Sequence, residues 1–238
     1  MNLIRYLPES LKASIRRRAG VVTLEDRLEN LRKAGFAPRQ IIDAGAYKGN
    51  WSLSVARIFP EADFLLIEPQ PACTPLLRTL CARHPHFRVH PALLGPANDQ
   101  AAFLLEETNS RIVAKDHVPQ PGQTIIPLPI RRLDALAESE GFGGCDFLKL
   151  DLQGQELNAL DGAGDLFGRI EVIQTEASWL AIGEVPLAHE VIAYFSAGGY
   201  RLYDVLGFNY RPRDRALWQT DFIFVKQNSP LLASRSWA

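Results

Sequence analysis

Three short segments of the sequence put acidic residues and glycines at the ends of apolar runs. In the first, Gln40-Ile-Ile-Asp-Ala44 gives way to Gly45-Ala-Tyr-Lys-Gly49. This reads as a strand entering a glycine-bearing turn and then a helix, with Asp43 near the strand end. Gly45, Ala46, Tyr47 and Gly49 would there bring backbone N–H groups close to a ligand. Glycines at such turns also serve packing in many α/β proteins, so this segment alone assigns no ligand. In the second, Asp63-Phe-Leu-Leu-Ile-Glu68 ends in a carboxylate, and Pro69 stops the strand behind it. A carboxylate in that place accepts hydrogen bonds from both hydroxyls of a ribose, and its coincidence with the glycine turn points to an adenosine-containing cofactor. The spacing Gly45-x-x-x-Gly49 lacks the middle glycine that admits a pyrophosphate, which disfavours NAD and suits a nucleoside without phosphates.

The third segment is Lys149-Leu-Asp151-Leu-Gln-Gly154-Gln-Glu156. The carboxyl ends of strands in an open parallel sheet face the ligand crevice, so Asp151 and Glu176, which ends the next apolar run, are expected at one pocket. Either could remove a proton during catalysis, and together they could hold Mg²⁺, although two carboxylates alone establish no metal. The competing reading makes Asp151 a helix cap and pairs Glu176 with Lys149. Lys149 is a candidate substrate contact, or the group that orients Asp151. Trp179, just past Glu176, is a candidate wall of the substrate pocket, though core packing explains most such aromatics. The polar stretch 106–129, rich in proline and glycine, is too long for an idle connection and reads as an active-site loop. Asn109 and Ser110 would close over the cofactor there, and His117 is either an alternative base or a solvated histidine.

The elements that must position these residues follow an α/β rhythm. Thr23-Leu-Glu-Asp26 is a capping box opening a helix with Leu24, Leu28 and Leu31 on one face, ended by Gly35 and Pro38. Strands are expected over 40–44, 63–68, 87–94, 146–151, 171–176, 200–205 and 221–225, with helices over 51–59, 72–83, 133–140, 155–166 and 185–197. A turn at 95–99 leads to a hairpin strand at 101–105, and a charged loop carrying Arg211, Arg213, Asp214 and Arg215 joins the last two strands. The boundaries expected are an N-terminal helical segment over 1–37, a catalytic domain over 38–228 and a tail over 229–238.

Composition narrows the function. At 238 residues, 47% hydrophobic and 22% charged, the chain buries one full core. A net charge of -1 gives no global field for a polyanion, so nucleic acid is not an expected partner. The basic run Arg16, Arg17, Arg18, with Lys12 and Arg5, reads as a solvated helix face or a surface-binding helix. Three cysteines without C-x-x-C spacing fit a reducing compartment, and no apolar run is long enough for a membrane span or a signal segment, so a cytoplasmic protein is expected.

The chain resembles the FkbM-type methyltransferase family. The matching segments are Ile41-Ile-Asp-Ala-Gly-Ala-Tyr-Lys-Gly49, Ile67-Glu-Pro69, Ala92-Leu-Leu-Gly95, Leu133-Asp134, Phe147 to Leu157 with Leu160 to Ala163, and Thr175-Glu176. The resemblance covers roughly residues 38 to 226. It implies a class I, Rossmann-like methyltransferase fold: a doubly wound sheet of seven mostly parallel strands with one antiparallel, here with N-terminal helices and a small hairpin insertion. It further implies methyl transfer from S-adenosylmethionine to oxygen, on a hydroxyl of a small molecule, sugar or glycan. Tyr47 stands where the family usually has Asn, which bears on how the methionine end of the cofactor is held. A nicotinamide-dependent oxidoreductase and a non-catalytic nucleoside-binding module are the alternative readings.

Overall fold

A computed structural model describes residues 22–183 and 185–234. The basic run at Arg16 to Arg18 and the start of the N-terminal segment lie outside the described residues. Helix α1 (Leu24–Lys33) opens on the Thr23 capping box. The Thr23 hydroxyl accepts from the Asp26 N–H, and Asp26 Oδ2 accepts from the Thr23 N–H at 3.1 Å. Strand β1 (Gln40–Ala44), helix α2 (Asn50–Ala56), β2 (Asp63–Ile67), α3 (Thr74–Arg83) and β3 (Phe87–His90) then alternate. After an insertion come α4 (Leu133–Ser139), β8 (Phe147–Leu150), α5 (Glu156–Asp161), β9 (Val172–Ser178), α6 (Ala188–Ala197), β10 (Tyr200–Tyr210) and β11 (Leu217–Lys226).

The main sheet has seven strands in the order β10-β11-β9-β8-β1-β2-β3. β11 runs antiparallel to both its neighbours, and the other pairings are parallel. Strands buried on both faces need apolar residues at nearly every position, and β1, β2 and β8 supply them. Alternate side chains divide between two cores. Ile42, Leu65 and Leu148 face Leu136, Leu160 and Phe195 of α4 to α6, whereas Ile41, Phe64 and Phe147 face Leu28, Val55 and Leu77 of α1 to α3. Each such side chain contributes about 1.5–3 kcal/mol on burial. The chain order reverses between β1 and β8, so a crevice opens at their carboxyl ends.

The insertion is larger than the hairpin and loop read from the sequence. Leu93–Leu94 (β4), Asp99–Leu105 (β5), Arg111–Val113 (β6) and Thr124–Arg131 (β7) form a second sheet in the order β4-β7-β5-β6. The expected strand 87–94 is therefore two strands, parted at Pro91, and of the polar stretch only 106–110, with a 3₁₀ turn at Glu107–Asn109, and 114–123 lie outside strands. Pro127 and Pro129 obscured β7, since proline cannot donate to a ladder. They are tolerated because β4 pairs only with Ile130 and Arg131, leaving β7 open on that side at both prolines.

Other boundaries shift as well. β10 and β11 extend past the expected strands into a long antiparallel hairpin with register shifts, joined over 211–216. The expected helix 155–166 ends at Asp161, and a 3₁₀ helix, Gly164–Arg169, follows. The break lies beside Gly162, where a Cβ would come within 2.1 Å of the Gly95 carbonyl oxygen.

That contact makes Gly162→Ala an expected loss of about 1–3 kcal/mol of stability, because backbone rather than a flexible side chain must yield. Gly168→Ala, with nothing within 4 Å of the added carbon, should stay within about 0.5 kcal/mol of the original protein. Urea denaturation of the two variants makes the comparison.

Candidate active site

The crevice between β1 and β8 is organised by one buried ammonium. Lys149, on β8, donates from Nζ to the Gly45 carbonyl oxygen at 2.7 Å and ion-pairs with Asp43 Oδ1 at 3.1 Å and Asp151 Oδ2 at 3.5 Å. Asp43 is fully buried, and its other oxygen accepts from the Ser52 hydroxyl at 2.6 Å. Burial opposes the charge on Lys149, but the facing carboxylates of Asp43 and Asp151 outweigh it and hold its pKa above the usual lysine value. A Cβ on Gly45 would come within 1.9 Å of the Asp151 carbonyl oxygen, and one on Gly49 within 2.5 Å of Leu80 Cδ2. Gly45 is thus demanded by packing against backbone, and Gly49 by its left-handed φ of +76°.

Glu68 follows β2 and is buried. Its Oε2 accepts from the Tyr47 N–H at 2.7 Å and its Oε1 from the Gln70 N–H at 2.9 Å. Burial raises its pKa, with those two N–H donors opposing. A carboxylate offers about four acceptor positions, so two remain for a ligand. Tyr47 reaches Glu68 from a left-handed backbone, φ +48°, which a non-glycine residue adopts at some expense and which Asn tolerates better. Gln153 is left-handed too, at φ +54°. Its turn is fixed by Glu156 Oε1, which accepts from the N–H groups of Leu152 and Gly154 at 2.7 and 3.3 Å, while Gln153 Nε2 donates to Asp151 Oδ1 at 3.1 Å.

Two adjoining cavities open here. The first, about 210 Å³, is lined by Gly45, Tyr47, Glu68, Pro69, Ser110, Asp151 and Glu176 from the sequence-derived set. Gln70, Ala92, Leu93, Leu94, Phe103 and Gln155 also line it. The second, about 650 Å³, shares Ile112, Gln153, Gln155 and Glu176 with the first and adds Asn109, His117, Ser178, Ile182, Trp218 and Gln219. Asp43, Ala46, Gly49 and Lys149 lie buried beneath the crevice. Trp179 lines neither cavity: its Nε1 donates to Thr220 Oγ1 at 2.9 Å and its ring meets Phe222 edge-on.

Ala92 to Leu94, Gln153 and Gln155 sit inside segments whose pattern is distinctive in the sequence. Phe103, Trp218 and Gln219 arrive through the second sheet and the long hairpin, and no local spacing marks them. Ser110 ties the second sheet to the crevice, its hydroxyl accepting from the Glu106 N–H and donating within reach of Gln70 Oε1 at 3.1 Å.

Asp151 and Glu176 gain no third ligand: among the described residues no group of three His, Cys, Asp or Glu is placed to hold a metal ion. Asp151 is held by Lys149 and Gln153, and Glu176 Oε2 accepts from Gln219 Nε2 at 2.8 Å. These contacts suit a carboxylate that takes part as an acid or base and do not build an Mg²⁺ site. Burial, with the charges of Asp151, Glu156 and Asp221, pushes Glu176 up to about 8, Lys149 opposing. An acid whose pKa is raised on folding stabilises the fold fully below its unfolded value, near 4.3, and that stabilisation is lost as pH rises through 8. Glu176→Gln should therefore stabilise the protein at pH 8 relative to pH 5 by about 1–3 kcal/mol. Denaturation midpoints at the two pH values measure it, and a variant that tracks the original protein at both would contradict the raised pKa.

The sequence matches the family model described as the methyltransferase FkbM domain over residues 43–202. No curated protein matches it. Among solved structures, methyltransferase FkbM from Methylobacillus flagellatus superposes with a TM-score of 0.50 at 16% identity, over 77% of this chain and 43% of that one. Precorrin-6y C5,15-methyltransferase from Geobacter metallireducens gives 0.47 at 12% identity, over 87% and 90%. Aeropyrum pernix fibrillarin, in complex with natively bound S-adenosyl-L-methionine, gives 0.45 at 14%, over 78% and 66%. This chain thus spans less than half of the Methylobacillus protein, and that likeness shows the fold alone. The family match runs from the end of β1 into β10 and takes in the carboxyl ends of β1, β2, β8 and β9, and by it the chain belongs to the FkbM methyltransferase family.

Proposed function

We propose that the protein transfers a methyl group from S-adenosylmethionine to a hydroxyl of a small molecule, sugar or glycan. The observation that carries this reading is the pair of joined cavities, with Glu68 lining only the smaller one and Glu176 lining both. Glu68, aimed by two backbone N–H donors, would accept from the ribose hydroxyls. Pro69, Leu93, Leu94 and Phe103 offer apolar surface to the base, and Gly45, Tyr47, Ser110 and Asp151 line the remainder. Asp43, Ala46 and Gly49 would act from beneath, by shaping the turn. Asn109 and His117 stand on the acceptor side.

Bound there, S-adenosylmethionine would supply an electrophilic methyl group and leave as the neutral thioether. An alcohol is roughly as weak an acid as water, so its proton must go to a base during attack. Glu176 is that base in this reading, because it is the carboxylate shared by both cavities and its raised pKa lies near working pH. Asp151 orients and charges the site beside it. Lys149, saturated by Gly45, Asp43 and Asp151, would act on the acceptor only through Asp151. The net charge of -1 supports a small or glycan acceptor over nucleic acid, and three free cysteines suit the cytoplasm.

Thermal shift and calorimetry test the cofactor. S-adenosylmethionine and S-adenosylhomocysteine should raise apparent stability and NADH should not. Glu68→Ala should lose charge-assisted hydrogen bonds of about 1.5–3 kcal/mol, weakening S-adenosylhomocysteine about tenfold or more. A shift by NADH alone would overturn the reading.

For chemistry, Glu176→Gln or Asp151→Asn should cut turnover about 10²–10⁴-fold while cofactor affinity changes little. Mass spectrometry of products over a panel of hydroxylated acceptors reads it, with EDTA expected to leave turnover intact. Wild-type rates in both variants would move the base to His117.

A further inference from the structure

Glu176 does not face the cavity alone. In the β9–β11 ladder Asp221 is its direct cross-strand partner, so two carboxylates project from the same face of adjacent strands. Among the described residues neither has a cation of its own. Lys149 is the nearest ammonium and is already taken by Asp43, Asp151 and the Gly45 carbonyl. The remaining charged groups around the pair add negative charge: Asp151 after β8 and Glu156 on α5. Across the larger cavity, Arg111 is paired with Glu106 at 2.6 Å, and His117 stands on the same wall. From β10, Gly207 lies over the Asp221 carboxylate, where a Cβ would come within 2.8 Å of Oδ2.

Each carboxyl does have one neutral amide beside it. Gln219, one step along β11 on the same face, holds Glu176 at 2.8 Å. Gln174, on β9, stands beside Asp221 and works against its raised pKa, and its Oε1 is fixed by Trp51 Nε1 at 3.0 Å. Two facing carboxylates held this way, partly buried and without a counter-ion, do not both ionise near neutral pH.

Resting on the transferase reading, we propose that Asp221 is a positioning residue of the reaction, sharing one proton with Glu176 and thereby setting the pH at which Glu176 becomes able to take the acceptor's proton. Its displaced pKa, pushed up to about 6 by burial and by Asp151, agrees with that role. No bond to Asp221 forms or breaks. The hydroxyl proton passes to Glu176, and the negative charge of Asp221 opposes its loss until the pair returns it to solvent.

The test titrates the protein by NMR with ¹³C-labelled glutamate and aspartate carboxyls, assigning Glu176 and Asp221 by difference from Glu176→Gln and Asp221→Asn. Two mutually dependent titrations are expected in the original protein. In Asp221→Asn the midpoint of Glu176 should fall by about half a unit or more, and the acid limb of kcat should move down with it. The variant would then turn over faster than the original protein near pH 6.5 and equally near pH 9. A merely structural Asp221 would lower kcat alike at every pH. Should Asp221→Asn fail to fold, Asp221→Ser makes the same measurement on Glu176, which should titrate lower there too. An unmoved Glu176 titration in a folded Asp221 variant overturns the proposal. Coupled titrations in a protein that transfers no methyl group would leave the shared proton standing and sink the transferase reading instead.

Discussion

The crevice depends on the ammonium of Lys149. One group reaches the backbone of the turn after β1 and the acids of two adjacent strands, so it fixes how closely the carboxyl ends of β1 and β8 approach. A lone charge at that depth would be expelled or neutralised, whereas here two carboxylates and a carbonyl surround it. Asp43 is fully buried against Lys149, whereas Asp151 is partly exposed. Removing Lys149 would leave the buried Asp43 charge without its ion-pair partner, which costs far more than the arrangement contributes when complete. This is why the glycine turn and the Asp151 turn behave as one unit although 106 positions of sequence, from Gly45 to Asp151, divide them.

The central sheet was legible because its physics is local. Ile41-Ile-Asp-Ala44 and Phe147-Leu-Lys-Leu150 are buried on both faces, and a continuous apolar run broken by a charge is what such a strand must look like. Glu68 was singled out for a related reason, its place directly after a buried strand and before proline, and there it closes two backbone N–H groups, of Tyr47 and Gln70. The second sheet was not legible. β6 is three residues long and β7 carries two prolines, so neither shows an uninterrupted alternation. The same holds for Trp218. It is brought to the larger cavity by a hairpin whose register shifts at several points, and no spacing in the sequence records those shifts. Trp179, the more conspicuous tryptophan by position, turns instead onto Thr220 and Phe222.

The two cavities therefore have walls of different origin. Glu68, Gly45 and Asp151 come from turns locked to the main sheet, while Ser110, Ile112, His117, Trp218 and Gln219 come from the second sheet, its loop and the long hairpin. Glu176 stands on the boundary, at a place in β9 that both halves of the molecule touch. The left-handed residues Tyr47 and Gln153 sit on the locked side, where surrounding hydrogen bonds over-determine the backbone and can hold a conformation the residues themselves disfavour.

Pro127 and Pro129 have an effect beyond their own strand. Residues 127, 129 and 131 share one side of β7, and the Arg131 carbonyl on that side accepts from the Gly95 N–H. The two prolines thus remove two of the three donors, beside that of Ile125, that a passing chain would use along the stretch β4 leaves uncovered. The roof of the smaller cavity is built from β-structure that offers few donors to another strand along this edge. An open edge beside a binding cleft is a hazard for self-association, and here it is disarmed by the very residues that hid the strand in the sequence.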